Sequence, residues 1–138
     1  MNYKIIDIKT VGTEGKGELS FFESGKDIPF DIKRIYYTYH VPEKAERGGH
    51  AHIKLSQLLI CPYGEIELSL DDGDNRVSIL LNDPSKGVLI EGLIWREMTW
   101  KKEGSLLMVA ASDYYKEEDY IRNYSDFINV RNSILSGN

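Results

Sequence analysis

Along most of the chain, apolar residues either alternate with polar ones or gather in short runs, and turn-forming residues interrupt them every 8 to 12 positions or so. Tyr3 to Ile8 predicts a first strand, the glycines at 12, 15 and 17 a flexible turn, and Glu18 to Phe22 a second strand. Beyond a loop through Ser24, Gly25 and Pro29, the aromatic and β-branched residues of Phe30 to His40 predict a third strand. Alternation there puts Arg34, Tyr36 and Thr38 on one face and Lys33, Ile35, Tyr37 and Tyr39 on the other, with either face free to be the inward one. Pro42 to Glu46 reads as a polar excursion. The segment around His50 then extends, Ile53 to Ser56 turns, and Gln57 to Cys61 forms a buried strand ended by Pro62 and Gly64.

Glu65 to Leu70 alternates, and Asp71-Asp72-Gly73-Asp74-Asn75 predicts a tight hairpin turn. Val77 to Leu81, Val88 to Ile90, Ile94 to Trp100 and Leu106 to Ala111 supply further strands. About ten short strands at this spacing predict an all-β sandwich or barrel. The C-terminal segment changes period. Tyr120, Ile121, Tyr124, Phe127, Ile128, Arg131, Ile134 and Leu135 recur at helical spacing, with Ser112-Asp113 as the expected cap. Lys116-Glu117-Glu118-Asp119 then reads as a solvated face at the helix start.

The 138 residues carry no internal repeat or linker, so a single domain over residues 1–138 is expected. The net charge of −5 speaks against nucleic acid or an anionic membrane surface as partner, since either needs a summed positive field. With Cys61 the only cysteine, no disulfide can form within the chain. No basic-then-apolar leader or long apolar span is evident, so a cytoplasmic protein is expected.

Candidate chemistry concentrates in Arg47-Gly48-Gly49-His50-Ala51-His52, which holds two of the three histidines. In a strand, His50 and His52 project from one face about 7 Å apart and share a pocket, while Ala51 points the other way. Gly48 and Gly49 allow a sharp turn or a close approach to a ligand.

Gly-Gly-His-Ala-His followed by Gln57 and Gly64 resembles the first motif of the cupin superfamily, whose two histidines and a following acid are usually metal ligands, completed by a histidine from a second motif. Here Gln57 stands at the acid position and Arg96 at the fourth. An amide is a poorer ligand than a carboxylate, and a guanidinium has no lone pair to offer. No metal and no other cofactor is therefore expected.

Ile28-Pro29-Phe30 with Ile32 to Tyr37, Arg47-Gly48 with His50-Ala51-His52, Leu70 to Gly73, Trp95 with Glu97-Met98, and Ala111 to Tyr115 with Asp119 to Arg122 are together similar to the sugar 3,4-ketoisomerases. The resemblance covers about a hundred residues. It implies a cupin-type antiparallel β-barrel, or jelly roll, with a short C-terminal helix, and metal-independent conversion of dTDP-4-dehydro-6-deoxyglucose to a 3-keto isomer for the aminosugars of surface polysaccharides. It also implies a homodimer contacting through the N-terminal strands and the aromatic C-terminal segment.

Moving a carbonyl from C4 to C3 needs a base for the C3 proton, stabilisation of an enediolate and an acid at C4. Histidine suits both proton transfers, because its reference pKa of about 6.5 lies near working pH. His50 and His52 are the expected acid-base pair, their roles open, with the resemblance leaning towards His52 as base. Arg47 or Arg96 is expected to hold developing negative charge or the diphosphate, and Tyr36, Arg34 and Gln57 to orient the sugar. The alternatives are a nucleotide-sugar 3,5-epimerase-like cupin and a non-catalytic nucleotide-sugar-binding module.

Overall fold

Two five-stranded antiparallel sheets face each other in a computed structural model that describes residues 1–137. The strands are β1 (Tyr3–Asp7), β2 (Lys9–Thr13), β3 (Gly17–Phe21), β4 (Arg34–Thr38), β5 (Glu46–His52), β6 (Gln57–Tyr63), β7 (Ile66–Asp71), β8 (Arg76–Leu81), β9 (Lys86–Ile90), β10 (Trp95–Trp100), β11 (Leu106–Ala111) and β12 (Tyr120–Ile121). One sheet runs β1-β9-β6-β11-β4 and the other β12-β5-β10-β7-β8, while β2 and β3 form a separate hairpin. This is the barrel that the strand spacing and the resemblance both imply.

Period-2 patterning explains the layers. In β7, Ile66, Leu68 and Leu70 are buried between the sheets, while Glu67 and Ser69 look outward and are half-buried. They meet Leu59, Cys61, Val88, Ile90, Trp100 and Val109 in the main core. Strand β6 is buried on both faces because its second face, Leu58 and Ile60, is covered by Ile8 and Ile28 from the N-terminal segment. The outer face of the other sheet is covered by α1 (Tyr124–Leu135), where Phe127 packs on Ala51, Trp95 and Ile121.

The sequence reading departs from the structure at five places. Lys9–Thr13, whose Gly12 suggested a turn, is a strand paired to β3, and only Glu14 to Lys16 turns. The third strand starts at Arg34, four residues after Phe30, because Phe30 and Ile32 pack on the outside of β6 instead of continuing the ladder. Strand β6 runs through Pro62, where the pairing with β11 slips between Leu106 and Met108, and a bulge tolerates the missing N–H. The helix begins at Tyr124, capped by Asn123 and not by Ser112-Asp113, and the Asn123 side chain accepts a hydrogen bond from Asp126 N at 3.1 Å. Tyr120 and Ile121, read as helical from their spacing, form β12 against β5.

The face of β4 that the sequence left open is resolved. Arg34, Tyr36 and Thr38 turn towards the barrel, whereas Ile35, Tyr37 and Tyr39 are exposed, Tyr37 at 61%. The predicted hairpin turn joins β7 to β8, and Asp71 ties it to the helix by accepting from Gly73 N at 2.7 Å and from the Tyr124 hydroxyl at 2.8 Å.

Candidate active site

The pairing of β5 with β10 slips between Arg96 and Glu97. Arg96 lies opposite His50 and Glu97 opposite Gly48, leaving Gly49 as the extra residue of a bulge. Gly48 and Gly49 have φ of 89° and 71°, a region costly to any residue with a Cβ. At Gly48 a Cβ would also stand 2.9 Å from the Arg96 carbonyl oxygen. The glycines thus serve to bend β5 and to set the phase in which His50 and His52 both look into the barrel. The two rings meet edge to face at 5.0 Å, and Tyr120 of β12 lies against both, at 5.2 and 4.3 Å.

Their exposure differs. His50 is half-buried and lines a cleft of about 360 Å³ with Arg34, Tyr36, Arg47, Tyr115 and Tyr120. His52 is fully buried and borders a second cavity, of about 400 Å³, with Arg34, Asp119 and Tyr120. Its Nδ1 is 3.1 Å from Asp119 Oδ2, and its Nε2 has no hydrogen-bond partner among the described residues. A carboxylate can only accept, so Nδ1 carries the proton and Nε2 is bare. Burial, with the charge of Arg96 adding to it, lowers His50 to about 4 and His52 to about 2, and the field of His50 contributes further at His52. Both imidazoles are neutral at physiological pH.

On the neighbouring strand β10, Arg96 is 1% exposed. Its guanidinium donates to Gln57 Oε1 and, at 3.0 Å, to the Ile94 carbonyl, while its Nε is unpartnered. The Gln57 Nε2 donates onward to the Tyr36 hydroxyl at 3.0 Å. This chain links the two sheets, from β10 through β6 to β4, and Ala111 of the intervening β11 is small enough to let it pass. Burial pushes Arg96 down to about 10, still charged at neutral pH, and raises Tyr36, which keeps its phenolic proton. Because Tyr36 accepts from Gln57, its own O–H is free to donate elsewhere.

Gln57, expected to orient the sugar, and Arg96, expected to hold developing negative charge or the diphosphate, are both buried, and the Arg96 guanidinium donates to Gln57 Oε1. Arg34, Tyr36, Arg47 and His50 do line the cleft. The Arg34 guanidinium lies 5.4 Å from the Tyr36 ring centre and 5.6 Å from that of Tyr115. A metal does not fit here: the Gln57 oxygen is occupied by Arg96, whose charge would repel a cation, and no cluster of three or more ligand-type residues exists among the described residues.

The chain matches the family described as FdtA: WxcM-like, C-terminal, over residues 1–132. It belongs to that family. It is 41% identical over 127 residues to the TDP-4-oxo-6-deoxy-alpha-D-glucose-3,4-oxoisomerase of Aneurinibacillus thermoaerophilus, covering 92% of this chain and 91% of the relative. The sugar 3,4-ketoisomerase QdtA of Thermoanaerobacterium thermosaccharolyticum, solved with TDP, superposes with a TM-score of 0.92 at 45% identity over 96% of both chains. A histidine-to-asparagine variant of that enzyme, solved with TDP-4-keto-6-deoxyglucose, is 44% identical with the same TM-score and covers 96% of this chain and 95% of its own.

This FdtA-type chain also carries site residues that the sequence reading passed over. Asp119 lies in a charged stretch that reads as solvated, yet it holds His52 and also accepts from Lys54 N at 2.8 Å. Tyr120, read as one face of a helix, packs on both imidazoles. Arg122 lies over Tyr120 at 4.3 Å and is held there by Glu117 at 2.9 and 3.0 Å. The break in the helical pattern at Asn123, a strong cap residue, is the local signal that could have separated these residues from α1.

Proposed function

We propose that the protein is a sugar 3,4-ketoisomerase that converts TDP-4-keto-6-deoxyglucose into its 3-keto isomer. The observation that carries this reading is the pair of neutral imidazoles set in one barrel end with a buried Arg96-Gln57-Tyr36 chain. A neutral imidazole can take a proton, and a fixed cation with a phenolic donor can stabilise the negative oxygen that results. The family membership and the ligands of the ketoisomerase relatives support the substrate.

His50, which faces the cleft, takes the proton from C3, although the family resemblance leaned towards His52. The C3–H electron pair forms a C3–C4 double bond, and the C4 carbonyl becomes an enolate oxygen, which receives a hydrogen bond from Tyr36. The C4 oxygen then takes up the proton that the C3 hydroxyl gives up as the C3 carbonyl forms, and the proton removed from C3 is replaced by one delivered to C4. Nothing is oxidised or reduced overall. Arg34 and Arg47 at the rim bind the diphosphate.

The reading extends to assembly and setting. The hairpin of β2 and β3 exposes Val11, Leu19 and Phe21, and the edge strand β4 exposes Ile35 and Tyr37, which supports a homodimer that covers them. Light scattering at micromolar concentration tests this, and a monomer would count against it. No described helix is long and apolar enough to cross a membrane. The buried thiol of Cys61 accords with work in the cytoplasm, and the 3-keto product is a precursor for aminosugars of surface polysaccharide.

Proton NMR of chelator-treated protein with TDP-4-keto-6-deoxyglucose in deuterated buffer tests the activity. A 3-keto product with deuterium at C4 is expected. Bound but unchanged substrate would favour a binding module, and exchange at C3 or C5 without carbonyl migration would favour an epimerase.

A further inference from the structure

His52 is out of reach of solvent, and among the described residues its side chain's only hydrogen-bond partner is Asp119, 67 residues further along the chain. Asp119 is itself held rigidly. Its Oδ1 accepts from Lys54 N at 2.8 Å, its carbonyl accepts from Ile53 N at 3.0 Å, and its own N–H donates to Lys116 O at 3.1 Å. The loop after β5 and the short turn Glu117–Asp119 thus clamp one carboxylate against Nδ1 of His52. Among the described residues no other carboxylate is hydrogen-bonded to either imidazole.

The remaining surroundings of the histidine pair are neutral or positive. Arg96 lies opposite His50, Arg34 and Arg122 stand at the cleft, and Tyr120 packs on both rings. Proton removal from C3 must place a positive charge on an imidazole inside this positive field. Without a fixed negative group the protonated intermediate would be strongly disfavoured.

Building on the ketoisomerase reading, we propose that Asp119 is a positioning residue: it fixes His52 as the tautomer with Nε2 bare and supplies the negative charge that balances the proton gained by the His50–His52 pair. It touches no substrate. Its action passes through His52 and the edge contact of the two rings.

Asp119→Asn tests this sharply. Lys54 N needs an acceptor, so the amide oxygen stays on that side and the NH₂ faces His52 Nδ1, which must then accept and leave its proton on Nε2. Expected is a fall in kcat of about 10²- to 10³-fold, with KM changed less than about threefold. Long-range proton–nitrogen NMR should place the His52 proton on Nδ1 in the wild type and on Nε2 in the variant. A wild-type protein with the proton on Nε2 would overturn the proposal without any variant. So would Asp119→Asn with unchanged kcat. Should the Asn variant not fold, Asp119→Glu, which keeps the charge, is expected to retain more activity than Asp119→Ala, and equal activities would sink the idea. If the wild type itself shows no turnover while the tautomer is as expected, it is the ketoisomerase reading that fails.

Discussion

The two ends of the barrel are built from the same strands and differ in almost every physical respect. At one end the inward positions are Leu59 and Cys61 of β6, Ile66 and Leu68 of β7, and Trp100 of β10, packed as an ordinary core. At the other end the same ladders present Gln57, Arg96, His50 and His52, all of them buried or half-buried. Two residues along β6, from Leu59 to Gln57, are enough to pass from one to the other. The apolar end stabilises the fold by removing hydrocarbon from water, while the polar end draws on that stability to hold an unpaired cation and two neutral imidazoles where water would not leave them.

The sharpest way to break this contrast is at His50. His50→Gln should lower kcat by about 10²- to 10⁴-fold while leaving the fold intact, as measured by initial rates alongside thermal unfolding. At the opposite end, Leu68→Ala should destabilise the protein by about 2–5 kcal/mol in urea denaturation and leave KM unchanged wherever the protein is still folded. Arg96→Met exchanges the two characters directly. Removing the buried charge relieves its desolvation but strands Gln57 Oε1 and the Ile94 carbonyl, each at about 1–3 kcal/mol, so activity should fall with a net stability change of no more than about 3 kcal/mol in urea denaturation, and a larger loss would show that Arg96 is structural.

A smaller effect comes from acid. Burial depresses both histidines from 6.5, to about 4 at His50 and about 2 at His52. Below about pH 6.5 the unfolded chain takes up protons that the native state refuses, so stability should fall with decreasing pH. The slope between pH 6 and pH 4 should reach on the order of 1 kcal/mol per pH unit for each histidine, and His50→Gln should remove one share of it. The smallest effect expected is at Tyr36, where loss of one hydrogen-bond donor in Tyr36→Phe should lower kcat by roughly 10-fold to 100-fold with little change in stability.

The apolar end was legible in the sequence because burial between two sheets has a local signature. Alternation in Ile66 to Leu70 and the unbroken run Leu58 to Cys61 announce their faces without knowledge of their partners. At the polar end the histidines were legible for the same reason, since period 2 puts both on one face. Their partners were not. Gln57 and Arg96 were recognised as departures from a metal-binding pattern, yet that they bind each other depends on the distance between two sheets. Asp119 sat inside a charged stretch that looked solvated, and only the return of the chain as β12 brings it under His52.

By itself, then, the sequence determined that the chain is built of short strands, the barrel class, the freedom of Gly48 and Gly49 to turn before His50 and the presence of two imidazoles on one face. These follow from backbone sterics and from the two-residue repeat of a strand, which act between neighbours. Tertiary structure alone decided that His50 faces the cleft while His52 is fully buried, that Gln57 and Arg96 are bound to one another, and that Asp119 holds the buried ring. Burial and hydrogen bonding across sheets depend on distances between residues 39 and 67 positions apart, and no local pattern encodes them.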